Sequence, residues 1–516
     1  MIKRVLNMLA WMNRFFFKNT CSLLKRCCFL FVLGSLSSYA FAPYFQVYLL
    51  FVGLAFLMHG LIKASSRKEM LWMAFSFGAG LGVFSLKWIC NALLVDGSSF
   101  YIFIPIALFG FAIFQGVFYL LPAFGTSFFK TPVSKWLSFC AFFVFFEWVR
   151  SWIFTGFPWN LLGNIWTFFP SVLQFAGLCG VYGLSLITVL FFTSVALWPI
   201  KKRYFVSLSF VFMLIILMGG LHLYQAPKEM VWGVKLRLVQ PDIKQSFKWD
   251  PLKAEENYNK LLLLSKTNND DITHVIWPET ALPFYHETDE VSKMRLMSAL
   301  RQGATLLTGG LRIVSLEKRQ LANSLFIFDH LTNMQGYYDK SHLVPFGEYV
   351  PFRDVLKIDK IVPLPSDFVA GSGPKTMYVP KAPLMAPLVC YEVVFPHKIV
   401  NEKRRPEWIL NITNDAWYGI SAGPYQHLSI AQMRAVEEGL PLVRATNNGV
   451  SAVINPYGEI IASLDLGKEG VLDSHLPRSA DQTIYARFGN MIPLLFILFV
   501  FILAIFKNKE QKIIEN

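Results

Sequence analysis

Charged residues are scarce in this sequence. Of its 516 residues only 16% are Asp, Glu, Lys or Arg, whereas 54% are hydrophobic and 49 are phenylalanine. Soluble domains are typically about a quarter charged, so the composition excludes a wholly soluble protein. Residues 27–223 are almost entirely apolar, 224–487 have an ordinary globular composition, and 488–506 are apolar again. The sequence therefore predicts a membrane protein with one large soluble domain before its last span.

Several features of ligand-binding proteins are also missing from residues 224–487. This region has no internal repeat, no low-complexity tract and no glycine-rich phosphate-binding loop. Basic and aromatic residues do not cluster there as they do in nucleic-acid-binding domains. We therefore expect no nucleic-acid partner, no metal and no cofactor.

Cysteine is nearly absent from the same region. Six of the seven cysteines lie in the N-terminal tail or in and beside the apolar segments, and Cys390 is the only one in 224–487. A lone thiol without a partner in its domain is either well buried or has a chemical role.

The apolar segments predict about eight transmembrane helices, since a span needs roughly 20 apolar residues. Their cores lie at 27–43, 45–62, 71–93, 101–123, 135–155, 178–198, 204–223 and 488–506. Lys and Arg concentrate before the first span, after the last, and in every second loop between them. By the positive-inside rule both termini are expected to be cytoplasmic and 224–487 extracytoplasmic. The predicted domains are thus a seven-helix membrane domain, 1–223, the outer domain, 224–487, and a last helix with a cytoplasmic tail, 488–516.

The outer domain alternates short aliphatic runs with amphipathic segments. Strands are predicted at 234–242, 274–280, 304–313, 386–392 and 407–415, a hairpin at NSLFIFD and MQGYYDK, and a strand pair turning at Asn455-Pro-Tyr-Gly. Helices are predicted at 251–267, 288–302 and 425–439. This alternation predicts an α/β sandwich whose strands are covered by helices.

Three reactive side chains follow apolar runs at predicted strand ends: Glu279 in HVIWPETALPF, Lys340 in GYYDKSHLVPF and Cys390 in APLVCYEVVFP. Together they suit nucleophilic acyl transfer. A thiol attacks as its thiolate and needs a base, which Glu279 can supply. Lys340 and the backbone N–H of Tyr391 can stabilise an oxyanion.

Each of the three also has a purely structural interpretation. Cys390 alone is compatible with a small buried hydrophobic residue, Glu279 with a capping residue, and Lys340 with a solvated loop residue. Spacing in the sequence does not establish that the three side chains meet.

Taken together these stretches resemble the nitrilase superfamily, and with eight spans they resemble its bacterial apolipoprotein N-acyltransferase branch. The resemblance covers almost the whole chain. It rests on WPET around Glu279, DKSHLVPFGEYVPF around Lys340, CYE at 390–392 and NDAWYG at 414–419, with LVQPDIKQSFKWD and GFPWN.

The resemblance implies an αββα sandwich beside the polytopic α-helical membrane domain, in the bacterial inner membrane with the outer domain periplasmic. It implies that Glu279 is the general base, Lys340 the oxyanion stabiliser and Cys390 the nucleophile. Trp249, Glu348, Tyr391 and Glu392 are implied as supporting residues. The implied donor is a phospholipid, with phosphatidylethanolamine expected, and the implied acceptor is a diacylglyceryl apolipoprotein.

Three other functions are compatible with the residues. A membrane-anchored amidase or nitrile hydrolase would use the same triad with water, although eight spans exceed what an anchor needs. A Cys-His hydrolase would use His342, His427 or another of the nine histidines, and a transporter or receptor would not use Cys390 chemically. The aromatic loops at 281–285 and 350–356 are hypothesised to enter lipid or form a lid.

Glu147 and Arg150, one turn apart, are expected either to touch a lipid headgroup or to pair with each other.

Overall fold

A computed structural model describes residues 22–95, 98–267, 270–285, 289–350 and 368–515. The chain divides into two compact units. The first comprises residues up to Cys90, Ile102–Gln225 and the segment from Ile484 onwards, and the second comprises Asn91–Tyr101 and Ala226–Thr483.

The first unit is α-helical. Among the described residues seven helices are long and apolar enough to cross a membrane: Leu23–Ala40, Arg67–Leu94, Phe100–Thr126, Pro132–Arg150, Ala176–Lys201, Arg203–Gln225 and Met491–Glu510. An eighth apolar helix, Val47–Lys63, has 17 residues and lies where the second span is predicted. All eight predicted positions therefore hold apolar helices, and the protein is a multi-pass membrane protein.

Glu147 and Arg150 lie on the last turn of helix Pro132–Arg150 and are both buried inside this unit. Glu147 Oε1 accepts a hydrogen bond from the backbone N–H of Leu162 at 2.8 Å. Arg150 donates to Oε1 of Gln115 at 3.1 Å. Burial places both side chains within the protein, so the expectation that they contact a lipid headgroup is wrong.

The second unit contains two six-stranded sheets. The first has the order β12-β1-β2-β3-β4-β5 and the second β11-β10-β9-β8-β7-β6. The strands are β1 Met230–Gln240, β2 His274–Ile276, β3 Thr305–Ser315, β4 Gln320–Asp329, β5 Met334–Asp339, β6 Met377–Val379, β7 Ala382–Val389, β8 Trp408–Thr413, β9 Leu442–Thr446, β10 Ser451–Ile454, β11 Ile460–Leu464 and β12 Gly470–Pro477.

The sheets pack face to face through an apolar core. Leu236, Ile276 and Leu325 of the first sheet belong to the same buried cluster as Leu410 and Val443 of the second. A separate apolar cluster on the first sheet includes side chains of helices Pro251–Lys266 and Glu290–Ala299. Helix Ala422–Glu438 contacts β9 of the second sheet. The layers form the expected nitrilase-like αββα sandwich.

Most predicted elements of this unit are confirmed, including the β4–β5 hairpin and the Asn455–Gly458 turn between β10 and β11. One strand prediction is wrong at its end. β7 stops at Val389, and Cys390–Val394 form a 3₁₀ turn. Glu392 lies in that turn because its side chain accepts the N–H of Val389, which closes the chain back on itself.

Candidate active site

The directions of the strands bring Glu279 and Lys340 to one edge of the first sheet. β2 and β3 are parallel, and β3 and β5 are each antiparallel to β4. β5 therefore runs in the same direction as β2, and their carboxyl ends share an edge. Glu279 follows β2 and Lys340 follows β5. Glu279 Oε1 and Lys340 Nζ are 3.7 Å apart, and both side chains are buried.

Glu348 and Asn323 complete a buried cluster around this pair. Lys340 Nζ lies 3.0 Å from Oε1 and 2.9 Å from Oε2 of Glu348. Asn323, at the start of β4, donates to Glu279 Oε1 at 2.8 Å and to Glu348 Oε1 at 3.0 Å. Burial alone would lower the pKa of Lys340, but Glu348 and Glu279 raise it well above its usual value. Lys340 is therefore held as a cation between two carboxyl groups.

The backbone around Glu279 is held by close packing against β3. A Cβ on Gly309 would lie 2.6 Å from Glu279 Cα, so only glycine permits this approach. The backbone N–H of Asn414 donates to Glu279 Oε2 at 2.9 Å. Lys248 Nζ donates to the Glu279 carbonyl oxygen at 2.8 Å. The second oxygen of the carboxylate is thus fixed from the opposite sheet, because Asn414 follows β8.

Cys390 begins the turn after β7 with a φ of +54°, in the left-handed region that non-glycine residues seldom occupy. Its carbonyl oxygen accepts a hydrogen bond from Asn411 Nδ2 at 3.3 Å and lies close enough to His427 to raise the pKa of that imidazole. Its thiol contacts the hydroxyl of Thr413. Burial raises the pKa of the Cys390 thiol; the charge of Glu279 raises it further, and that of Lys340 lowers it. The thiol therefore lies within the field of both groups.

Glu392 links the turn after β7 to the loop after β5. Its Oε1 accepts hydrogen bonds from the Tyr338 hydroxyl, the Ser341 N–H and the Ser341 hydroxyl, each at 2.7 Å, and from the His342 N–H at 3.2 Å. Its Oε2 accepts the Val389 N–H at 2.8 Å. Glu392 is thus a buried brace between the segments that carry Lys340 and Cys390.

The two aromatic residues of the predicted site differ in their exposure. Tyr391 is buried, and its ring contacts Phe395 edge-on with centroids 5.2 Å apart. Trp249 is 39% exposed and lines a cleft of about 310 Å³. Pro278 and Thr280, which flank Glu279, line the same cleft. The cleft therefore reaches the Glu279 segment without including the three predicted catalytic side chains among its lining residues.

The loop at 281–285 partly lines this cleft through Ala281 and Leu282. The other loop hypothesised to form a lid is 350–356, and its residues 351–356 lie outside the described residues.

The two candidate histidines differ in their surroundings. The ring of His342 packs against that of Phe395 in a tilted arrangement, with centroids 3.9 Å apart. His427 Nδ1 is 2.9 Å from Asp415 Oδ1 in a fully buried cluster with Arg444. Burial, and then Arg444, lower the pKa of His427. The contact between His427 and Cys390 is to the backbone carbonyl, which suits a structural role better than that of a base for the thiol.

Sequence reasoning missed three residues of this site. Asn323 is an ordinary polar residue in a strand. Lys248 directly precedes Trp249 at the end of the stretch LVQPDIKQSFKWD. Tyr418 lies in the quoted NDAWYG, and the charges of Cys390 and Glu279 act on its phenol. Burial is the main cause that raises its pKa well above the usual value. Tyr418 and Lys248 therefore lie within stretches that carry the family resemblance, NDAWYG and LVQPDIKQSFKWD, whereas Asn323 carried no such signal.

Two family models match the chain. One, described as carbon-nitrogen hydrolase, matches residues 235–485, and another, described as apolipoprotein N-acyltransferase N-terminal domain, matches residues 33–194. A curated apolipoprotein N-acyltransferase of Rhodopseudomonas palustris is 35% identical and matches 94% of this chain and 96% of its own. A curated apolipoprotein N-acyltransferase of Rickettsia bellii is 37% identical and matches 93% of this chain and 97% of its own. A solved amidase structure from Nesterenkonia sp. is 20% identical and matches 48% of this chain and 92% of its own, with a TM-score of 0.36.

Proposed function

Because this chain belongs to the apolipoprotein N-acyltransferase family, we propose that it transfers an acyl chain from a phospholipid to the N-terminal diacylglyceryl-cysteine of apolipoproteins. The acyl chain passes through a thioester on Cys390, in a ping-pong reaction. The observation that carries this proposal is the buried Glu279–Lys340–Glu348 cluster, in which the charges of Glu279 and Lys340 act on the Cys390 thiol. That arrangement supplies a nucleophile, a base and a fixed cation.

In the first half-reaction Glu279 takes the thiol proton as Cys390 attacks the ester carbonyl. The ammonium of Lys340 and the backbone N–H of Tyr391 stabilise the oxyanion. When the intermediate collapses, the C–O bond breaks and Glu279 returns the proton to the departing oxygen. The products are the Cys390 thioester and a lysophospholipid.

In the second half-reaction the neutral α-amino group of the acceptor attacks the thioester. Glu279 takes a proton from the attacking nitrogen, and the C–S bond breaks as this proton passes to the Cys390 sulfur. The products are an amide and the free thiol. Water must stay away from the thioester for the acyl chain to reach the amine, and the burial of the catalytic groups favours this.

The supporting residues have distinct proposed roles. Glu348 fixes Lys340, Glu392 fixes the turn of Cys390, and Trp249 binds substrate at the cleft mouth. Phosphatidylethanolamine is the proposed donor.

Intact-mass analysis tests the first half-reaction. The purified protein, incubated with phosphatidylethanolamine alone, is expected to gain one acyl mass that hydroxylamine removes. Cys390→Ala should abolish the adduct, whereas Cys28→Ala, which removes an exposed cysteine of the first helix, should not. Absence of the adduct in the unsubstituted protein would refute the mechanism, and release of free fatty acid without transfer to an amine would favour a hydrolase.

We also propose that both termini are cytoplasmic and that the catalytic unit is periplasmic, on the basis of the Lys/Arg distribution. A cysteine at Leu316, which is 80% exposed, should react with an impermeant maleimide in intact spheroplasts. A cysteine at the exposed Lys202 should react only after lysis. The opposite pattern would reverse the topology.

A further inference from the structure

Lys248 is a second lysine beside the reacting groups, and the mechanism above does not use it. It ends the short helix Gln245–Lys248. Its stem is partly exposed, whereas its ammonium is enclosed and donates to the Glu279 carbonyl oxygen at 2.8 Å. Within the described parts of the chain, this is the one hydrogen bond that the amine donates, although it has three protons to donate.

The amine lies in an environment that favours an added anion. Burial lowers the pKa of Lys248 to about 8, and the charge of Glu279 opposes this fall only in part. A bound anion would stabilise the ammonium form and satisfy its remaining protons. Lys340 differs in this respect, because both oxygens of Glu348 already neutralise it.

The cleft beside Lys248 gives an anion access to it. Lys248 lines the cleft together with the amides Asn257 and Asn447 and the aliphatic residues Leu261 and Leu282. A wall that combines one cation, amide groups and apolar surface suits an amphipathic ligand. The cleft also borders Glu279 through Pro278 and Thr280, so a ligand here would reach toward the acyl-transfer centre.

We propose that Lys248 binds the phosphodiester of the acyl donor and thereby selects phospholipids over esters that carry no phosphate. In a glycerophospholipid the phosphate is separated from the reacting ester by the short glycerol backbone. A cation bonded to the backbone of the catalytic base is therefore placed to hold the phosphate while the ester meets Cys390. The acceptor presents an amine, so Lys248 contributes to the first half-reaction only. This inference rests on the proposed function.

The test compares two donors and two variants. Acyl-enzyme formation is measured by intact mass with phosphatidylethanolamine and with p-nitrophenyl palmitate, which has no phosphate. Lys248→Gln keeps a donor for the Glu279 carbonyl but loses the charge, and Lys248→Arg keeps the charge. Lys253→Gln, at an exposed lysine paired with Glu256, is the matched control.

Lys248→Gln is expected to lower kcat/KM for phosphatidylethanolamine by roughly 10- to 100-fold, the effect of losing a hydrogen bond to a charged group. Its kcat/KM for the nitrophenyl ester should change less than about threefold. Lys248→Arg should retain most of the phospholipid activity. Equal losses with both donors would overturn the inference, because Lys248 would then act by positioning Glu279. If the unsubstituted protein forms no acyl adduct with phosphatidylethanolamine, the proposed function itself fails.

The pH dependence provides a second readout, since only the ammonium form binds phosphate. KM for phosphatidylethanolamine should rise as the pH passes above about 8, and it should stay flat over that range in Lys248→Arg. Glu279, Cys390 and Asp250 are the other titratable groups that act on Lys248 or share its cleft. They affect both donors, so a rise of equal size with the nitrophenyl ester would also overturn the inference.

Discussion

Glu392→Gln is the substitution whose effect can be worked out most fully from the geometry. The carboxylate accepts five hydrogen bonds, four at Oε1 and one at Oε2. A glutamine has one oxygen, so its NH₂ group must face at least one of these donors. If it faces Val389, that N–H is left buried and unsatisfied at a cost of about 1–3 kcal/mol. The four remaining hydrogen bonds also weaken because they no longer involve a charged acceptor. The free energy of unfolding should therefore fall by about 3–5 kcal/mol in total.

Two further variants calibrate this value. Tyr338→Phe removes one of the four donors at Oε1 and should cost about 1 kcal/mol, because the oxygen keeps three others. Glu402→Gln changes a glutamate that is 65% exposed and pairs with His397, and it should stay within about 0.5 kcal/mol of the unsubstituted protein. The free energy of unfolding of the catalytic unit is followed by denaturant titration in detergent.

Acyl-enzyme formation, measured in parallel, separates a positioning role from simple stability. Glu392 joins the segments that carry Lys340 and Cys390, so Glu392→Gln should slow acylation by at least about 100-fold even where the protein remains folded. The reasoning would be refuted if Glu392→Gln acylated at the normal rate and unfolded within about 0.5 kcal/mol of the unsubstituted protein.

Three other predictions concern single groups. Gly309→Ala should abolish acylation of Cys390, because the new Cβ would lie 2.6 Å from the Glu279 backbone. Gly310→Ala is the control and should retain acylation, because its Cβ would lie 3.1 Å from a flexible side-chain atom of Leu282. Intact-mass analysis of the acyl-enzyme distinguishes the two variants. Glu348→Gln should lower kcat/KM about 10- to 100-fold by removing the charged partner of the site lysine, and near-normal kinetics would contradict this. His274 is buried and its pKa is lowered to about 4, so its protonation favours the unfolded state. The contribution of His274 to the free energy of unfolding should be complete above pH 6.5 and fall by up to about 3 kcal/mol toward pH 4. A series of melting curves against pH should lack this decrease in His274→Gln.

Where the sequence predicted well, local patterns sufficed. The hairpin of β4 and β5 follows from two apolar runs and a short turn, and it fixes the direction of β5 relative to β3. Once β2 is parallel to β3, Glu279 and Lys340 must share an edge. Their proximity is thus a consequence of strand order, although the order itself could not be obtained from spacing.

The strand β12, which escaped prediction, depends on a partner distant in the chain. β12 pairs with β1, more than two hundred residues earlier, and its exposed face carries polar side chains that obscure the strand pattern. Arg237 of β1 is buried and pairs with Asp473 of β12 at 2.7 Å. Asn323 likewise gains its role only from two carboxylates contributed by other segments. No local propensity encodes these contacts.

In the proposed periplasmic orientation, the state of Cys390 at rest would explain how the proposed nucleophilic thiol persists in an oxidising compartment. Burial and the charge of Glu279 raise its pKa, so the resting residue is a thiol and not a thiolate. Oxidants and stray electrophiles react chiefly with thiolates, so the free enzyme is protected. In the proposed mechanism the proton passes to Glu279 when an ester carbonyl reaches the sulfur, and the new negative charge develops on an oxygen that Lys340 can stabilise. Reactivity is therefore conferred by the bound substrate. Iodoacetamide should consequently alkylate the resting enzyme slowly at pH 7, and fast alkylation there would show that the thiolate is already present.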